Sequence, residues 1–344
     1  MPHRTFLAFI WPSLFVMILF IALPIVSVAY QSLYVEHEQI LRKVETCGPF
    51  GCTNEVSVDT AAMERLRQEQ PMGQFNWLGT YANPSHLAFD DVAEIWRSSS
   101  GTVSAISGIV NLPLYRALVF TLAYTFIVTP LVIVLGFVIA LAVNMVPGFI
   151  KGPVIFFSLL PMIVTPLVGA LVLFWMIDSQ GVIGATLQRV FNNPQLSLKA
   201  SPALTWVTLF VYGVWHSAPF SFVVFYAGLQ TLPKDTLESA MIDGANRWER
   251  IRFVVIPHLA PLATFVALMQ LMDNFRVFEP IVGFSASANA SSLSYLIYND
   301  LRSSDMPLFG SAAATSMLTI IGVVILLAPV LLRTWRDFNR KAAR

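Results

Sequence analysis

The chain has 344 residues, of which 56% are hydrophobic and 12% charged, and its formal net charge is +1. A soluble domain carries about 25% charged residues, so this composition leaves too little polar side chain to cover a water-facing surface, and the mean hydropathy of +0.67 points to the bilayer as solvent. The near-zero charge offers no field for nucleic acid or an acidic substrate, and two cysteines are too few for a disulfide scaffold and show no zinc-ligand spacing.

A helix needs about 20 apolar residues to cross the hydrocarbon core. The first candidate, residues 6–30, also has a signal-peptide reading, because Ser27-Val28-Ala29 is a small-x-small triplet. Its apolar run is about twice the usual 7–15-residue length and Pro24 interrupts the expected junction, so a retained span (residues 1–30) is expected. Residues 31–112 are polar and read as an extracytoplasmic loop or cap. Within them Cys47 and Cys52 flank Gly-Pro-Phe-Gly, and outside the cytoplasm the two thiols would pair as a disulfide; the alternative is two unpaired thiols in a flexible segment.

From residue 113 to 335 the chain reads as a membrane core, followed by a basic tail at 336–344. Continuous apolar runs at residues 114–143, 154–177, 203–229 and 308–332 are expected spans. Pro130, Pro161, Pro166 and Pro219 lie inside them, where neighbouring helices can satisfy the freed carbonyls. A further run begins near Leu259 and meets Asp273 before reaching full length. Counting it gives six spans with both termini cytoplasmic. Arg4, Lys151, Lys234, Arg247, Arg250, Arg252, Arg333, Arg336, Arg340, Lys341 and Arg344 then face inward, and the two short outer loops keep only Arg189, Lys199 and Arg302. Five spans would put the basic tail outside.

Residues 230–258 are far more polar than their flanks and read as helix, turn, helix. Pro233 can open the first helix at N1, with Asp235 and Glu238 where the dipole favours negative charge. Leu237, Ala240 and Met241 give it an apolar face, Asp243-Gly244 supplies the reversal, and Trp248, Ile251 and Val255 share a side of a second helix that Pro257 is expected to end. A hairpin of this kind either docks on a partner or lies on the headgroups.

This loop resembles the EAA motif of binding-protein-dependent ABC importer permeases, E-A-A-x3-G-x9-I-x-L-P. Glu238, Ala240, Gly244 and Pro257 match at every spacing, with Ser239, Val254 and Ile256 as mild departures. Ile242-Asp243-Gly244-Ala245 with Trp248 looks like the carbohydrate-uptake subgroup of maltose and glycerol-phosphate type. Further likeness runs from about Leu114 to Arg333, although Gly283-Phe284-Ser285-Ala286-Ser287 stands where many relatives carry T-x-G-G-P. The resemblance implies an all-α integral membrane protein with a MetI-like core in a bacterial inner membrane. It implies a transport subunit, not an enzyme, probing a separate ATPase with a coupling helix built from Glu238, Ser239, Ala240, Asp243, Gly244, Ala245, Arg247, Trp248 and Pro257. The implied partners are a second permease subunit of distinct sequence, two ATPase subunits and an extracytoplasmic solute-binding protein, with lipid around them and no nucleic acid. ATP and magnesium would sit on the ATPase, since this chain has no G-x-x-x-x-G-K-[ST] loop and implies no cofactor of its own.

Ionisable groups in a span cost about 2.5–3.5 kcal/mol on insertion scales and so mark pathways or pairs. Asp273, Asn274, Arg276 and Glu279 cluster toward the outer end of the fifth span, where an intrahelical triad centred on Arg276 would either neutralise itself or face the solute. His216 is a further pathway candidate, with Tyr226 and Asn144 as weaker ones. Trp175 and Trp335 read as interfacial anchors. No nucleophile, base and orienter occur together, so neither a catalytic nor a metal site is expected. The competing reading is an ion-coupled secondary transporter, which predicts midplane carboxylates and an internal repeat.

Overall fold

A computed structural model describes residues 3–37, 40–48, 51–302 and 307–342. In chain order it begins with α1 (Ala8–Gln31), β1 (Tyr34–Val35), β2 (Leu41–Gly48) and β3 (Gly51–Val58). There follow α2 (Thr60–Glu69), β4 (Gln74–Phe75), α3 (Phe89–Ser98), α4 (Thr102–Val110), α5 (Pro113–Met145), α6 (Gly148–Ile163), α7 (Pro166–Met176) and α8 (Val182–Val190). The remainder is α9 (Pro202–Gln230), α10 (Lys234–Ile242), α11 (Arg247–Phe275), α12 (Glu279–Gly283), α13 (Leu293–Arg302) and α14 (Phe309–Ala342). Among the described residues, five helices are long and apolar enough to cross a membrane: α1, α5, α9, α11 and the 309–333 part of α14.

The third expected span, residues 154–177, differs from the sequence reading. Residues 154–177 do not form one rod; α6 and α7 meet at a 94° bend. The cause is local. Pro166 lacks an N–H, and proline drives the residue before it out of the helical region, so Thr165 is extended at ψ 144° and Val164 at ψ 129°.

A second correction concerns Pro257. It does not end the hairpin's second helix, because α11 runs unbroken from Arg247 to Phe275 and the fifth span starts well before Leu259. Immediately ahead of this proline lies a π turn, Ile251–Val255, in which the Ile256 N–H reaches back to Ile251 O. The wider turn removes the clash between a proline ring and the carbonyl four residues earlier. The same device appears in α1, where a π turn at Ile18–Ala22 precedes Pro24.

The chain divides into two compact units, Met1–Tyr115 with Leu296–Ile320, and Arg116–Tyr295 with Ile321–Arg344. In the first unit no residue of the α1 span is buried by protein. The segment expected only as a loop carries a β2–β3 antiparallel hairpin whose register sets the Cys47 backbone opposite Cys52. The side chains of both cysteines, and hence the disulfide, lie outside the described residues. Asp59 caps α2 by accepting the Ala62 N–H at 3.0 Å. Polar side chains tie the start of α14 down: Glu36 accepts the Gly310 N–H at 2.6 Å, buried His86 meets Ser311 O at 3.1 Å, and the Ser311 hydroxyl donates to Asp300 at 2.6 Å. Burial, the largest influence, pushes the Asp300 carboxyl above its ordinary range against the opposing Ser311 hydrogen bond.

The second unit has two apolar clusters. Phe120, Tyr124, Val128 and Val132 of α5 pack with Leu209 and Tyr212 of α9, Ala170 of α7 and Ile281 of α12. Farther along the same helices, Ala140 and Val143 pack with Phe222, Phe225 and Leu229, and with Val255 and Leu259 of α11. Lipid is as apolar as these side chains, so close packing and buried hydrogen bonds, not water exclusion, hold such helices together. Gly136 shows the fit: a Cβ there would lie 2.5 Å from the Ser221 side chain.

Candidate functional site: a polar cavity and an exposed hairpin

Two features of the second unit gather the residues that the sequence singles out. The first is a cavity of about 490 Å³ lined by Tyr124, Tyr212, His216, Ser217, Asp273, Asn274, Arg276 and Glu279, with Pro166, Gly213, Val277 and Pro280. Its lining comes from four separated stretches of chain. Asp273 and Asn274 end α11, whose C-cap is Arg276 at φ −101°, and Glu279 opens α12.

The expected intrahelical triad is therefore not formed, because the helix stops before Arg276 and Glu279 belongs to the next one. Arg276 pairs with Asp273 at 3.3 Å, both side chains more than half exposed. Glu279 is exposed, and its side chain has no hydrogen-bond or ion-pair partner among the described residues. Asn274, one residue along from Asp273, is buried and donates from Nδ2 to Thr129 Oγ1 at 3.0 Å.

His216 and Tyr212 lie one turn apart on α9 and brace the α6–α7 bend. The Tyr212 hydroxyl donates to Pro166 O at 2.5 Å, and His216 Nε2 lies 3.1 Å from Val164 O. A broken helix inside a membrane leaves carbonyls without intrahelical donors, and neighbouring side chains must supply them. Since Val164 O can only accept, this geometry puts the proton on His216 Nε2. Tyr212, Tyr124 and Ser217 escaped the sequence reading; the i, i+4 spacing of Tyr212 and His216 was the available signal for the first. Tyr226 is not in the cavity. It packs on Phe222 in the other cluster, with the Lys151 ammonium 5.9 Å from its ring. Asn144 likewise lies elsewhere, accepting from Gln230 at 3.2 Å.

The second feature is the α10–α11 hairpin. Pro233 is the N-cap of α10, one position earlier than its expected N1 place. The turn is closed by two reverse bonds, Ala245 N–H to Ala240 O at 3.0 Å and Gly244 N–H to Met241 O at 3.1 Å. This is the Schellman pattern, which needs a left-handed residue between cap and exit, and Gly244 supplies it at φ +80°. A Cβ at Gly244 would meet nothing within 4 Å. Asn246 then opens α11 with a reciprocal cap: its side chain accepts the Glu249 N–H at 2.9 Å while Glu249 accepts the Asn246 N–H at 2.7 Å.

The hairpin is stiff inside and bare outside. Glu238, Ser239, Asp243, Arg247, Trp248 and Pro257 are exposed, and Ala240 and Ala245 half-buried. Ile242 is 86% and Trp248 79% exposed, which makes an apolar knob at the tip. Ile242 was read in sequence only as part of the motif string. At 1.5 Å per residue, α11 carries the chain about 39 Å from Arg247 at this hairpin to Asp273 at the cavity.

Comparisons agree with this architecture. The family of binding-protein-dependent transport system inner membrane components matches residues 100–337. The trehalose/maltose transport system permease protein MalF of Thermococcus litoralis is 28% identical over 209 residues, 59% of this chain and 69% of the relative. The multiple sugar-binding transport system permease protein MsmF of Streptococcus mutans is 29% identical over 219 residues, 62% of this chain and 73% of the relative. Among solved structures, a bacterial ABC transporter involved in import of the acidic polysaccharide alginate shares the fold, with a TM-score of 0.65 and 16% identity over 97% of this chain and 96% of that one. With more than half its length matched, this chain belongs to the binding-protein-dependent transport system inner membrane components.

Proposed function

We propose that the chain is the permease subunit of an ATP-driven importer for a sugar, polyol or glycoside. The α10–α11 hairpin couples it to a separate ATPase on the cytoplasmic face. The observation that carries the reading is a rigid, doubly capped hairpin that presents Ile242 and Trp248 to no described partner, at the opposite end of α11 from a polar cavity. Exposed apolar residues on a stiff scaffold favour docking into a partner groove.

The names of the relatives support the solute class, since MalF and MsmF are described as sugar-transport permeases. Tyr124, Ser217, His216 and Asn274 offer the cavity both donors and acceptors, suited to hydroxyl-rich solutes. A second permease of distinct sequence, two ATPase subunits and a solute-binding protein complete the assembly in this proposal. ATP closing the ATPase dimer moves the hairpins, and α11 transmits that movement to the cavity.

The test is Ile242→Asp in the assembled system. The permease should insert normally, while the ATPase no longer co-purifies with it and uptake stops. Unchanged co-purification would assign the knob to lipid or to another surface.

A further inference from the structure

The ionisable groups of the cavity do not balance. Two carboxylates, Asp273 and Glu279, face it with one guanidinium, Arg276. Asp273 and Arg276 lie 3.3 Å apart and largely cancel each other, whereas Glu279 has no ionic partner among the described residues. Of the remaining polar lining, Tyr124, Tyr212, Ser217 and Asn274 offer no ionic partner for Glu279, and His216 directs its Nε2–H to Val164 O. An uncompensated carboxylate within a membrane protein carries a free-energy cost, and such groups persist where they face water or a permeating species.

We infer that this cavity selects against acidic solutes and takes neutral polyhydroxylated or amine-bearing ones, with Glu279 as the residue that sets the preference. This rests on the cavity being the solute pathway. In a confined space enclosed by low-dielectric protein the field of one carboxylate is focused, raising the local concentration of cations and lowering that of anions. Neutral hydroxyls pass and can donate to the carboxylate. Anions are repelled, because Arg276 is held by Asp273.

Charge preference can be read without knowing the solute. Ser217 lines the same cavity, so Ser217→Cys, in a background with Cys47→Ser and Cys52→Ser, places one thiol there. In the assembled complex its labelling rates by the cationic trimethylammonioethyl and anionic sulfonatoethyl methanethiosulfonates are compared, each divided by the rate of a free thiol. The cation-to-anion ratio should exceed that of the free thiol. Glu279→Gln should lower it by about fourfold, the effect of one unit charge near a probe in a wet site. Glu279→Asp should keep the ratio, and Glu279→Lys should invert it. A ratio unmoved by both Glu279→Gln and Glu279→Lys, with the thiol still labelled, overturns the inference. A thiol that neither reagent reaches, whatever stands at 279, overturns the pathway reading itself.

Discussion

The hairpin and the cavity lie on the same helix and were read from sequence with unequal success. The hairpin is built from neighbours: a Schellman turn around Gly244, a reciprocal cap between Asn246 and Glu249, and an apolar tip, all between residues 233 and 250. Such devices follow from residue type at fixed short spacing, so the string itself specifies them. The cavity is built from strangers. Tyr124, Pro166, His216 and Asp273 come from four helices, and nothing in the spacing of any one of them says which others it will meet. Local chemistry is legible in a sequence, whereas convergence depends on packing.

The same contrast separates the sequence expectations that held from those that changed. The apolar runs of α5, α9 and α14 were readable because length and composition alone identify a span. The α6–α7 bend was not, although Pro161 and Pro166 were noted, because a proline in a membrane can be absorbed or can break the helix according to what satisfies its neighbours' carbonyls. Here Tyr212 and His216 satisfy the broken form. Pro257 shows the opposite outcome, absorbed by a π turn that no local pattern announces. Asp273 and Glu279 both line the cavity, but the triad does not form because the helix ends at Phe275.

Gly244 is where a single substitution separates hairpin from cavity most sharply. Gly244→Val puts a β-branched residue at φ +80°, which costs about 1–2 kcal/mol in backbone strain, yet its Cβ touches nothing. ATPase co-purification should fall about tenfold, the equivalent of 1.4 kcal/mol, with the cavity untouched.

Next in size is the brace at the bend. Tyr212→Phe removes the donor to Pro166 O and should destabilise the second unit by about 1–2 kcal/mol, read as a lower melting temperature in detergent. Uptake should drop while ATPase co-purification stays normal, the reverse of the hairpin variant. Asn246→Ala deletes the α11 cap and should cost about 1 kcal/mol, weakening ATPase association only partially.

The smallest effect lies outside both features. Asp300 in the first unit has its carboxyl raised by burial, so between its ordinary and raised values the folded state holds more protons than the unfolded one. Stability conferred by that group therefore falls as pH rises through this window. Asp300→Asn should flatten the dependence of melting temperature on pH in the acidic range and leave both hairpin and cavity readouts unchanged.

In the proposed function one helix joins two separable devices, a docking hairpin and a solute cavity. The direct test measures ATPase co-purification and solute uptake in parallel for Gly244→Val and Tyr212→Phe, each checked for membrane insertion. The account predicts that Gly244→Val loses both and that Tyr212→Phe loses uptake while keeping the ATPase. If Gly244→Val retains the ATPase with full uptake, the hairpin is not the coupling element.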